Sequence, residues 1–310
     1  MSVLITGAAG FAGAHLIHEL VTHGYDCVAT DLDISAPLPG TVACESVDLR
    51  DEATVAALIQ TIQPEACVHM AGITSVPEGM INPDLMLSVN VRGTLNLLNA
   101  LRQHAPDVRL LTVSTAHVYG TPPRDRALDE QAAMQPLSMY AISKAAADLA
   151  TLACASHHGL QAMVARPNNH TGPGQLPRFV VGAFVQQVRD MAAGQADPVM
   201  RTGNLESERD FMDVRDVVRA YRLLLEKGQV GHAYNISSGH HDTIRHMLAT
   251  LCRLAGVDPR LEIDPALMRP TDWSPRLDTT RLAEDTGWSG TIPFEQTLHD
   301  MLNAPPKGQP

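Results

Sequence analysis

The sequence lacks paired cysteines and long apolar runs. Its five cysteines form no Cys-x-x-Cys pair and have no histidine at a metal-ligand spacing, so neither a disulfide framework nor a metal site is predicted. No uncharged apolar run reaches the length of a transmembrane helix, and an apolar strand begins at Ser2 without a basic leader. We therefore expect a cytoplasmic protein with reduced thiols, no metal and no membrane partner.

Positive charge is also scarce. The 310 residues include three lysines, and Asp and Glu outnumber Lys and Arg, so the formal net charge is -11. Nucleic acids and anionic membranes are bound by clustered Lys and Arg, which displace counterions. The composition therefore argues against a nucleic-acid partner, and a phosphorylated ligand would have to be held by a few local groups.

The first half of the chain alternates short apolar runs with amphipathic segments, which is the pattern of a doubly wound parallel sheet. Strands are predicted at residues 2–6, 26–31, 41–47, 66–70, 109–114 and 161–165. Helices are predicted at residues 10–23, 51–62, 84–104 and 139–157. We therefore predict the α/β fold class, with a Rossmann sheet at its centre.

The second half has a different composition. Residues 166–175 read RPNNHTGPGQ, whose Pro, Gly and Asn content predicts a loop. Helices are predicted at residues 179–193, 214–226, 244–256 and 293–302, and a strand at 233–236. We expect a Rossmann domain over residues 1–165 with return segments near 212–236, a smaller mixed α/β substrate-binding lobe over 166–211 and 237–302, and a tail over 303–310.

A glycine-rich turn follows the first predicted strand. Residues 3–13 read VLITGAAGFAG, so Gly7, Gly10 and Gly13 lie at three-residue spacing between a strand and a helix. Glycine permits the tight turn, lets the backbone approach a pyrophosphate and lets the helix pack closely on the strand, while the helix N-terminus attracts the anion. In this context the glycines predict a dinucleotide site.

Acidic residues indicate how the adenosine half of the dinucleotide is bound. Asp31 ends the second predicted strand, where its carboxylate can accept hydrogen bonds from ribose hydroxyls and would repel a 2′-phosphate. We therefore expect NAD rather than NADP, although a solvated carboxylate at a strand end has the same sequence pattern. Asp48 could reach the adenine ring, and helix capping near Asp51 explains that acidic cluster equally well.

Tyr140 and Lys144 form the predicted catalytic pair. They are four residues apart on a predicted helix, so both side chains project from one face. A phenol with a pKa near ~10 is a poor acid–base group at neutral pH, and a nearby ammonium favours the phenolate. The pair therefore predicts transfer of a proton alongside a hydride. The alternative is a tyrosine packed on the sheet beside a surface lysine.

Hydroxyl groups follow the fifth predicted strand, at the carboxyl edge of the sheet where open α/β folds bind ligands. Ser114 and Thr115 both lie there, and we favour Thr115 as the hydrogen-bond donor to a reacting carbonyl or alcohol. His117 is expected either to contact the substrate or to be a structural or solvated histidine.

Together these residues resemble the extended short-chain dehydrogenase/reductase family, whose members act on nucleotide sugars. TGAAGFAG is similar to the family's cofactor turn, HMAG at residues 69–72 to its HLAA or HLAG, and Tyr140 with Lys144 to its YxxxK. The resemblance implies that Thr115 is catalytic. The expected cofactor contacts are Gly7, Gly10, Phe11, Ala12, Gly13, Asp31, Asp48, Leu49, Met70, Ala71, Gly72, Asn90, Tyr140, Lys144 and Pro167.

The resemblance also implies how a sugar nucleotide is held. RPNNHTGPGQ is similar to the family's RPxNxxGPGQ loop, which places Asn169 beside the sugar nucleotide. Arg209 of RDFMDVRDV and Arg269 of MRPTD stand where the family binds the substrate pyrophosphate, a task that suits a guanidinium. The alternative is that both are ordinary surface arginines. The expected substrate contacts are Thr74, Thr115, His117, Asn169, Arg209 and Arg269.

Within the family, the strings HMAGITSVPEGMINPD, VARPNNHTGPGQ and DTTRLAEDTGW resemble GDP-4-keto-6-deoxy-D-mannose reductases. Ala116 and His117 stand where 4,6-dehydratases carry an acidic pair, which argues against a dehydratase. Asp31 resembles the ribose-binding carboxylate of NAD-retaining 4-epimerases, the main alternative, and a non-catalytic dinucleotide sensor is a third. The resemblance also implies a homodimer, through a four-helix bundle of the helices that carry Asn90 and Tyr140.

Overall fold

Strands and helices alternate along most of the chain. The structure is a computed structural model, and it describes residues 1–121, 125–268 and 274–304. The strands are β1 (Ser2–Thr6), β2 (Asp26–Asp31), β3 (Thr41–Ser46), β4 (Ala66–His69), β5 (Arg109–Val113), β6 (Gln161–Pro167), β7 (Asn169–Thr171), β8 (Val199–Thr202), β9 (Glu208–Arg209), β10 (Phe211–Asp213), β11 (Ala233–Ile236), β12 (Asp242–Thr243) and β13 (Arg260–Ile263). The α-helices are α1 (Phe11–Thr22), α2 (Glu52–Ile62), α3 (Val76–Ile81), α4 (Pro83–Leu87), α5 (Gly93–His104), α6 (Met139–His158), α7 (Val180–Ala192), α8 (Val214–Lys227), α9 (Ile244–Ala255), α10 (Thr280–Thr286) and α11 (Phe294–Asn303).

Seven strands form one parallel sheet in the order β3-β2-β1-β4-β5-β6-β11. The strand β1 lies between β2 and β4, so the strand order changes direction at this point. In open α/β sheets the ligand crevice lies beyond the carboxyl ends of the strands at such a switch point. The glycine-rich turn follows β1 directly and therefore lies at this crevice.

Side chains alternate between the two faces of the sheet and bury two layers of helices. Val3 and Ile5 of β1 belong to the apolar cluster that includes α1 and α8, whereas Leu4 belongs to the cluster that includes α2, α5 and α6. A parallel strand that is covered on both faces reads as a continuous apolar run, as β1 does. The result is the three-layer arrangement of a doubly wound fold.

Three small sheets accompany the main one. The strands β7 and β10 pair in parallel, as do β8 and β13, while β9 and β12 pair antiparallel. The helices α7, α9 and α11 pack around a third apolar cluster that includes Phe184, Leu251 and Leu298. Asn169 opens β7 and Arg209 ends β9, so these small sheets carry two of the predicted substrate contacts.

The predicted α/β fold with a parallel Rossmann sheet is confirmed, and two local predictions are wrong. Residues 84–104 are not one α-helix, because a π-helical turn at Ser88–Arg92 separates α4 from α5. Residues 166–175 are not entirely loop: β6 continues to Pro167, and β7 pairs with β10. The partner strand lies about forty residues away in the chain, so local composition carries no signal of the pairing.

Several classes of site are not found in this fold. Within the described residues, no helix is both long and apolar enough to cross a membrane. The same part of the chain contains no group of three or more His, Cys, Asp or Glu side chains arranged to hold a metal ion. All five cysteines are free thiols.

Candidate active site

The glycine-rich turn is closely packed against its surroundings. Gly7 has a φ of +73°, and a Cβ at this position would lie 2.7 Å from the Ala71 nitrogen in the loop after β4. A Cβ at Gly13 would lie 2.2 Å from the Ala8 oxygen. Only glycine fits either position, and the close approach brings α1 and the loop after β4 to one side of the same crevice.

The N-terminus of α1 has no side-chain cap. Gly10 is the N-cap of α1 and makes no side-chain hydrogen bond, and the first turn contains no acidic residue. By contrast, Asp51 caps α2 and Ser138 caps α6. The first amide groups of α1 are therefore left for an anion, and this arrangement fits the pyrophosphate of a dinucleotide.

Asp31 lies at the carboxyl end of β2, beside the glycine-rich turn. Its Oδ2 accepts a hydrogen bond from the Ala9 nitrogen at 3.0 Å, and its Oδ1 accepts one from the Leu32 nitrogen at 2.8 Å. The carboxylate is thus fixed against the turn rather than freely solvated. A dinucleotide bound to the amide groups of α1 would present its adenosine ribose to this edge of the sheet.

Asp48 is engaged within the protein. Its two carboxylate oxygens accept hydrogen bonds from Arg50, with Nε at 2.9 and 3.0 Å and Nη2 at 2.6 Å, and this contact lowers the Asp48 pKa. Asp51 caps α2 by accepting from the Ala53 and Thr54 nitrogens. Capping therefore explains Asp51 but not Asp48. The next residue, Leu49, is buried against Gly93.

The Thr115 side chain lies close enough to Tyr140 to affect the pKa of its phenol. Burial raises the Tyr140 pKa, and the Thr115 side chain lowers it. The Thr115 side chain is buried at the end of β5, where its Oγ1 also accepts from the His117 nitrogen at 3.3 Å. The Ser114 hydroxyl instead donates to the Lys144 backbone oxygen at 3.5 Å, so Thr115 is the hydroxyl that faces the tyrosine.

Lys144 lies inside the protein, with 6% of its surface exposed. Burial lowers its pKa to about 8, and the negative charge of Asp148 opposes that shift. Its Nζ is 3.8 Å from the point that a Cβ on Gly72 would occupy, so the ammonium lies beside the loop after β4. The alternative of a surface lysine beside Tyr140 is therefore wrong.

Asn90 ties that loop to the catalytic helix. Its Oδ1 accepts from the Ile73 nitrogen at 2.7 Å, and its Nδ2 donates to the Ile73 oxygen at 3.0 Å and to the Ser143 Oγ at 2.9 Å. Ser143 Oγ donates to the backbone carbonyl oxygen of Tyr140 at 2.8 Å. Asn90 lies in the π-helical turn, so this irregular turn sets the direction of a side chain that organises the site.

His69 is a residue of the site whose importance sequence reasoning missed. It is buried at the end of β4, with Nδ1 at 2.7 Å from Thr6 Oγ1 and Nε2 at 2.8 Å from Thr94 Oγ1. Burial lowers its pKa to about 3, and the charge of Lys144 adds to that shift. The available signal was a single polar side chain at the end of the apolar strand ACVH.

Three predicted substrate contacts come together opposite Tyr140. The His117 ring lies close enough to Asn169 for the two side chains to interact, and its centroid lies 6.2 Å from that of Tyr140. His117 is exposed to solvent, although other side chains of the site surround its ring. The surrounding protein lowers the His117 pKa, the Asn169 side chain raises it, and the charge of Arg209 lowers it. Residues distant in sequence thus share one polar cluster.

The remaining predicted contacts occupy separate positions. Thr74 is exposed in the loop before α3. Pro167 is buried at the end of β6, where it pairs with Ile236 of β11. Arg209 also lines a cavity of about 490 Å³ between β9, α9 and α11, which Tyr140 and Lys144 do not reach. Arg269 lies outside the described residues.

Comparison with known proteins identifies the family. Residues 4–301 match the family model described as GDP-mannose 4,6 dehydratase. The chain belongs to this family of extended short-chain dehydrogenases/reductases. The family resemblance inferred from the motifs is therefore confirmed over almost the whole chain.

Individual relatives agree in sequence and fold. GDP-6-deoxy-D-mannose reductase from Pseudomonas aeruginosa is 34% identical over 303 residues, which cover 97% of this chain and 96% of that protein. The structure of RMD from Pseudomonas aeruginosa complexed with NADPH matches with a TM-score of 0.87 at 32% identity, covering 97% of both chains. UDP-glucose 4-epimerase from Thermus thermophilus, in complex with NAD, matches with a TM-score of 0.86 at 30% identity, covering 98% of both chains. UDP-glucose 4-epimerase from Thermotoga maritima, with UDP-glucose, matches with a TM-score of 0.87 at 28% identity and 97% coverage of both chains.

These findings establish the class of reaction. This extended short-chain dehydrogenase/reductase is an NAD(P)-dependent enzyme that acts on nucleotide sugars as an oxidoreductase. Its cofactor is a dinucleotide, as the glycine-rich turn predicted. The predicted enzyme class is confirmed.

Proposed function

We propose that this oxidoreductase reduces the C4 ketone of a GDP-4-keto-6-deoxyhexose. The observation that carries the proposal is the grouping of Thr115, Tyr140 and buried Lys144, with Ala116 and His117 in place of an acidic pair. Such a site can protonate a sugar oxygen but offers no carboxyl group beside Thr115 for elimination of water. The similarity to a protein named GDP-6-deoxy-D-mannose reductase supports the same substrate.

In this proposal each catalytic residue has one task. When bound, the nicotinamide supplies the hydride that C4 of the sugar accepts. Thr115 donates a hydrogen bond to the ketone oxygen, and Tyr140 gives the same oxygen its proton. The positive charge of Lys144 stabilises the phenolate that Tyr140 becomes.

The polar cluster opposite Tyr140 is proposed to hold the sugar nucleotide. Asn169 and His117 lie close together, and Asn169 Nδ2 donates to Ser274 Oγ at 3.4 Å, which orients the amide in the cleft. The Arg209 guanidinium lies close enough to affect the His117 pKa, and it suits a pyrophosphate through bidentate hydrogen bonds. Thr74 and Arg269 complete the proposed set.

A cofactor-consumption assay tests the proposed reaction. Purified protein, the GDP-4-keto-6-deoxyhexose and reduced cofactor should consume one cofactor for each ketone reduced, measured by nicotinamide absorbance and by the sugar product. Tyr140→Phe, which removes only the transferable proton, should lower kcat by about 10²-fold or more. Cofactor consumption with neither NADH nor NADPH would reject the reductase.

A 4-epimerase is the second candidate, because Asp31 is fixed beside the glycine-rich turn and two similar structures are UDP-glucose 4-epimerases. An epimerase would oxidise and then reduce one bound sugar without net consumption of cofactor. Protein purified with NAD bound, and active on a 4-hydroxy sugar nucleotide without added cofactor, would favour this candidate. A dinucleotide sensor would keep its function in Tyr140→Phe, whereas either enzyme would lose turnover.

A further inference from the structure

A buried ion pair lies one helical turn beyond the catalytic lysine. Asp148 is four residues after Lys144 on α6 and has no solvent-exposed surface. Its carboxylate accepts two hydrogen bonds from Arg166 of β6, from Nε at 2.8 Å and from Nη2 at 3.0 Å. Side chains four residues apart on a helix lie on the same face, so Asp148 points to the same side as Lys144.

The partner of Asp148 is also fixed. Arg166 is 3% exposed, and its Nη1 donates to the Tyr119 hydroxyl at 2.9 Å and to the Glu130 backbone oxygen at 3.0 Å. The Tyr119 hydroxyl in turn donates to Asn235 Oδ1 at 2.7 Å. The bidentate guanidinium therefore fixes the Asp148 carboxylate in place.

The charges around Lys144 come from few groups. His69 from β4 faces it as a neutral ring, because its pKa is lowered to about 3. Tyr140 lies on the same helix, and Tyr221 of α8 faces Tyr140. Among the described residues, Asp148 is the one group whose charge raises the Lys144 pKa against the effect of burial.

We propose that Asp148, held in place by Arg166, is a positioning residue that keeps Lys144 protonated in its buried site. Lys144 carries the charge that Tyr140 requires, and a buried ammonium keeps its proton only where an anion compensates for lost hydration. The ion pair is thus part of the catalytic apparatus without touching a substrate. This inference rests on the proposed function for its effect on turnover, but not for its effect on Lys144 itself.

The small number of lysines permits a direct measurement. The chain contains Lys144, Lys227 and Lys307. Protein labelled with 13Cε-lysine should therefore give three signals, and Lys144→Met identifies the one from the buried site. The pH titration of that signal in cofactor-free protein measures the Lys144 pKa without any substrate.

Asp148→Asn should move the Lys144 titration to lower pH by at least one unit, a tenfold or greater loss of proton affinity, and Asp148→Glu should restore most of it. The alkaline limb of the kcat profile should move in the same direction. Asp148→Asn leaves Arg166 as an unpaired buried cation, which can prevent folding. The double variant Asp148→Leu with Arg166→Met removes both charges and should also lower the Lys144 pKa.

A matched control distinguishes this role from a structural one. Asp216 is another buried carboxylate paired with an arginine, Arg219, and it anchors the segment around Thr291. Asp216→Asn should reduce stability and leave the Lys144 titration unchanged. An unchanged titration in both Asp148→Asn and the double variant would overturn the proposal. Absence of reductase activity with the expected titration shift would instead reject only the proposed reaction.

Discussion

We propose that Asp31 affects the choice between NAD and NADP. Its carboxylate is fixed by the Ala9 and Leu32 nitrogens at the edge where the adenosine ribose would lie. A 2′-phosphate would place two or nearly two negative charges against that carboxylate, whereas ribose hydroxyls would donate hydrogen bonds to it. Similar structures contain NADPH in one case and NAD in another, so the proposed preference for NAD rests on this side chain.

Asp31→Asn should reduce the preference for NADH. The amide keeps an oxygen that accepts hydrogen bonds from the ribose and from Ala9, but it no longer repels a phosphate. We expect the ratio of kcat/KM for NADH to that for NADPH to fall by about tenfold, equivalent to ~1.4 kcal/mol. Steady-state kinetics with both cofactors measures it.

The neighbouring Asp33→Asn provides the control, because Asp33 is exposed two residues beyond the end of β2. It removes the same charge and should leave the ratio nearly unchanged. Equal changes in the two variants would show that Asp31 acts only through the general negative charge of this edge.

The sequence predicted individual residues where the chemistry is local. Tyr140 and Lys144 were identified from their spacing on one helix, and the structure adds that Lys144 is buried. The contact between His117 and Asn169 joins residues far apart in the chain, so no local pattern contains it. Asp148 and Arg166 were missed for the same reason, since a buried charge is recognised only when its partner is known.

At the scale of elements, His69 connects two strands and a helix through a series of hydrogen bonds whose donors and acceptors all follow one direction. Thr94 Oγ1 donates its hydrogen to the Asn90 backbone oxygen at 2.6 Å, so it can only accept from His69 Nε2. His69 Nδ1 therefore accepts from the Thr6 hydroxyl, which itself accepts from the Ala71 nitrogen. This series of hydrogen bonds requires a neutral histidine, and it links β1 and β4 to the π-helical turn.

Stability should consequently fall in mildly acidic solution. The His69 pKa is lowered from 6.5 to about 3 in the folded state, so the neutral form stabilises the fold fully above pH 6.5 and this contribution is lost as the pH falls towards 3. At pH 5 the loss is on the order of 2 kcal/mol. Urea unfolding at pH 7 and pH 5 should show that loss in the wild-type protein and a smaller one in His69→Gln.

The exposed histidine His18 of α1 supplies a control. His18→Gln should keep the full pH dependence of the wild type. If His69→Gln and His18→Gln lose the same free energy between the two pH values, the acid sensitivity arises elsewhere.

The elements themselves were predicted well where their pattern is periodic. The parallel strands have apolar runs and the long helices have amphipathic ones, and these match the structure closely. The π-helical turn at Ser88–Arg92 was missed, because one extra residue in a helix leaves no mark in the hydrophobic period. The short strands β8 and β13 were missed because they are stabilised by each other rather than by local propensity.

At the scale of the whole molecule, α5 and α6 present apolar side chains to solvent. Leu95 of α5 is 40% exposed, and Ile142 and Leu149 of α6 are 41% and 57% exposed. Ile142 and Leu149 are seven residues apart, so they lie on one face of α6. The family resemblance implies that these two helices form a four-helix bundle in a homodimer. We propose that this apolar face is the contact between the two subunits.

Analytical ultracentrifugation should show a dimer at micromolar concentration. The double variant Ile142→Glu with Leu149→Glu places two charges on the proposed contact and should give a monomer. Ile263→Glu, at an exposed apolar position on β13, should remain dimeric. A wild-type monomer, or dissociation by Ile263→Glu alone, would contradict the proposed contact.

The uncapped N-terminus of α1 has a consequence for the life of the enzyme in a cell. A helix whose first amide groups have no partner of their own is completed by the anion that binds them. Each tenfold rise in dinucleotide above its dissociation constant adds about 1.4 kcal/mol to the free energy of unfolding. The stability of the folded enzyme is thereby tied to the supply of its coenzyme, and a fall in dinucleotide concentration would increase the unfolded fraction that proteases can degrade.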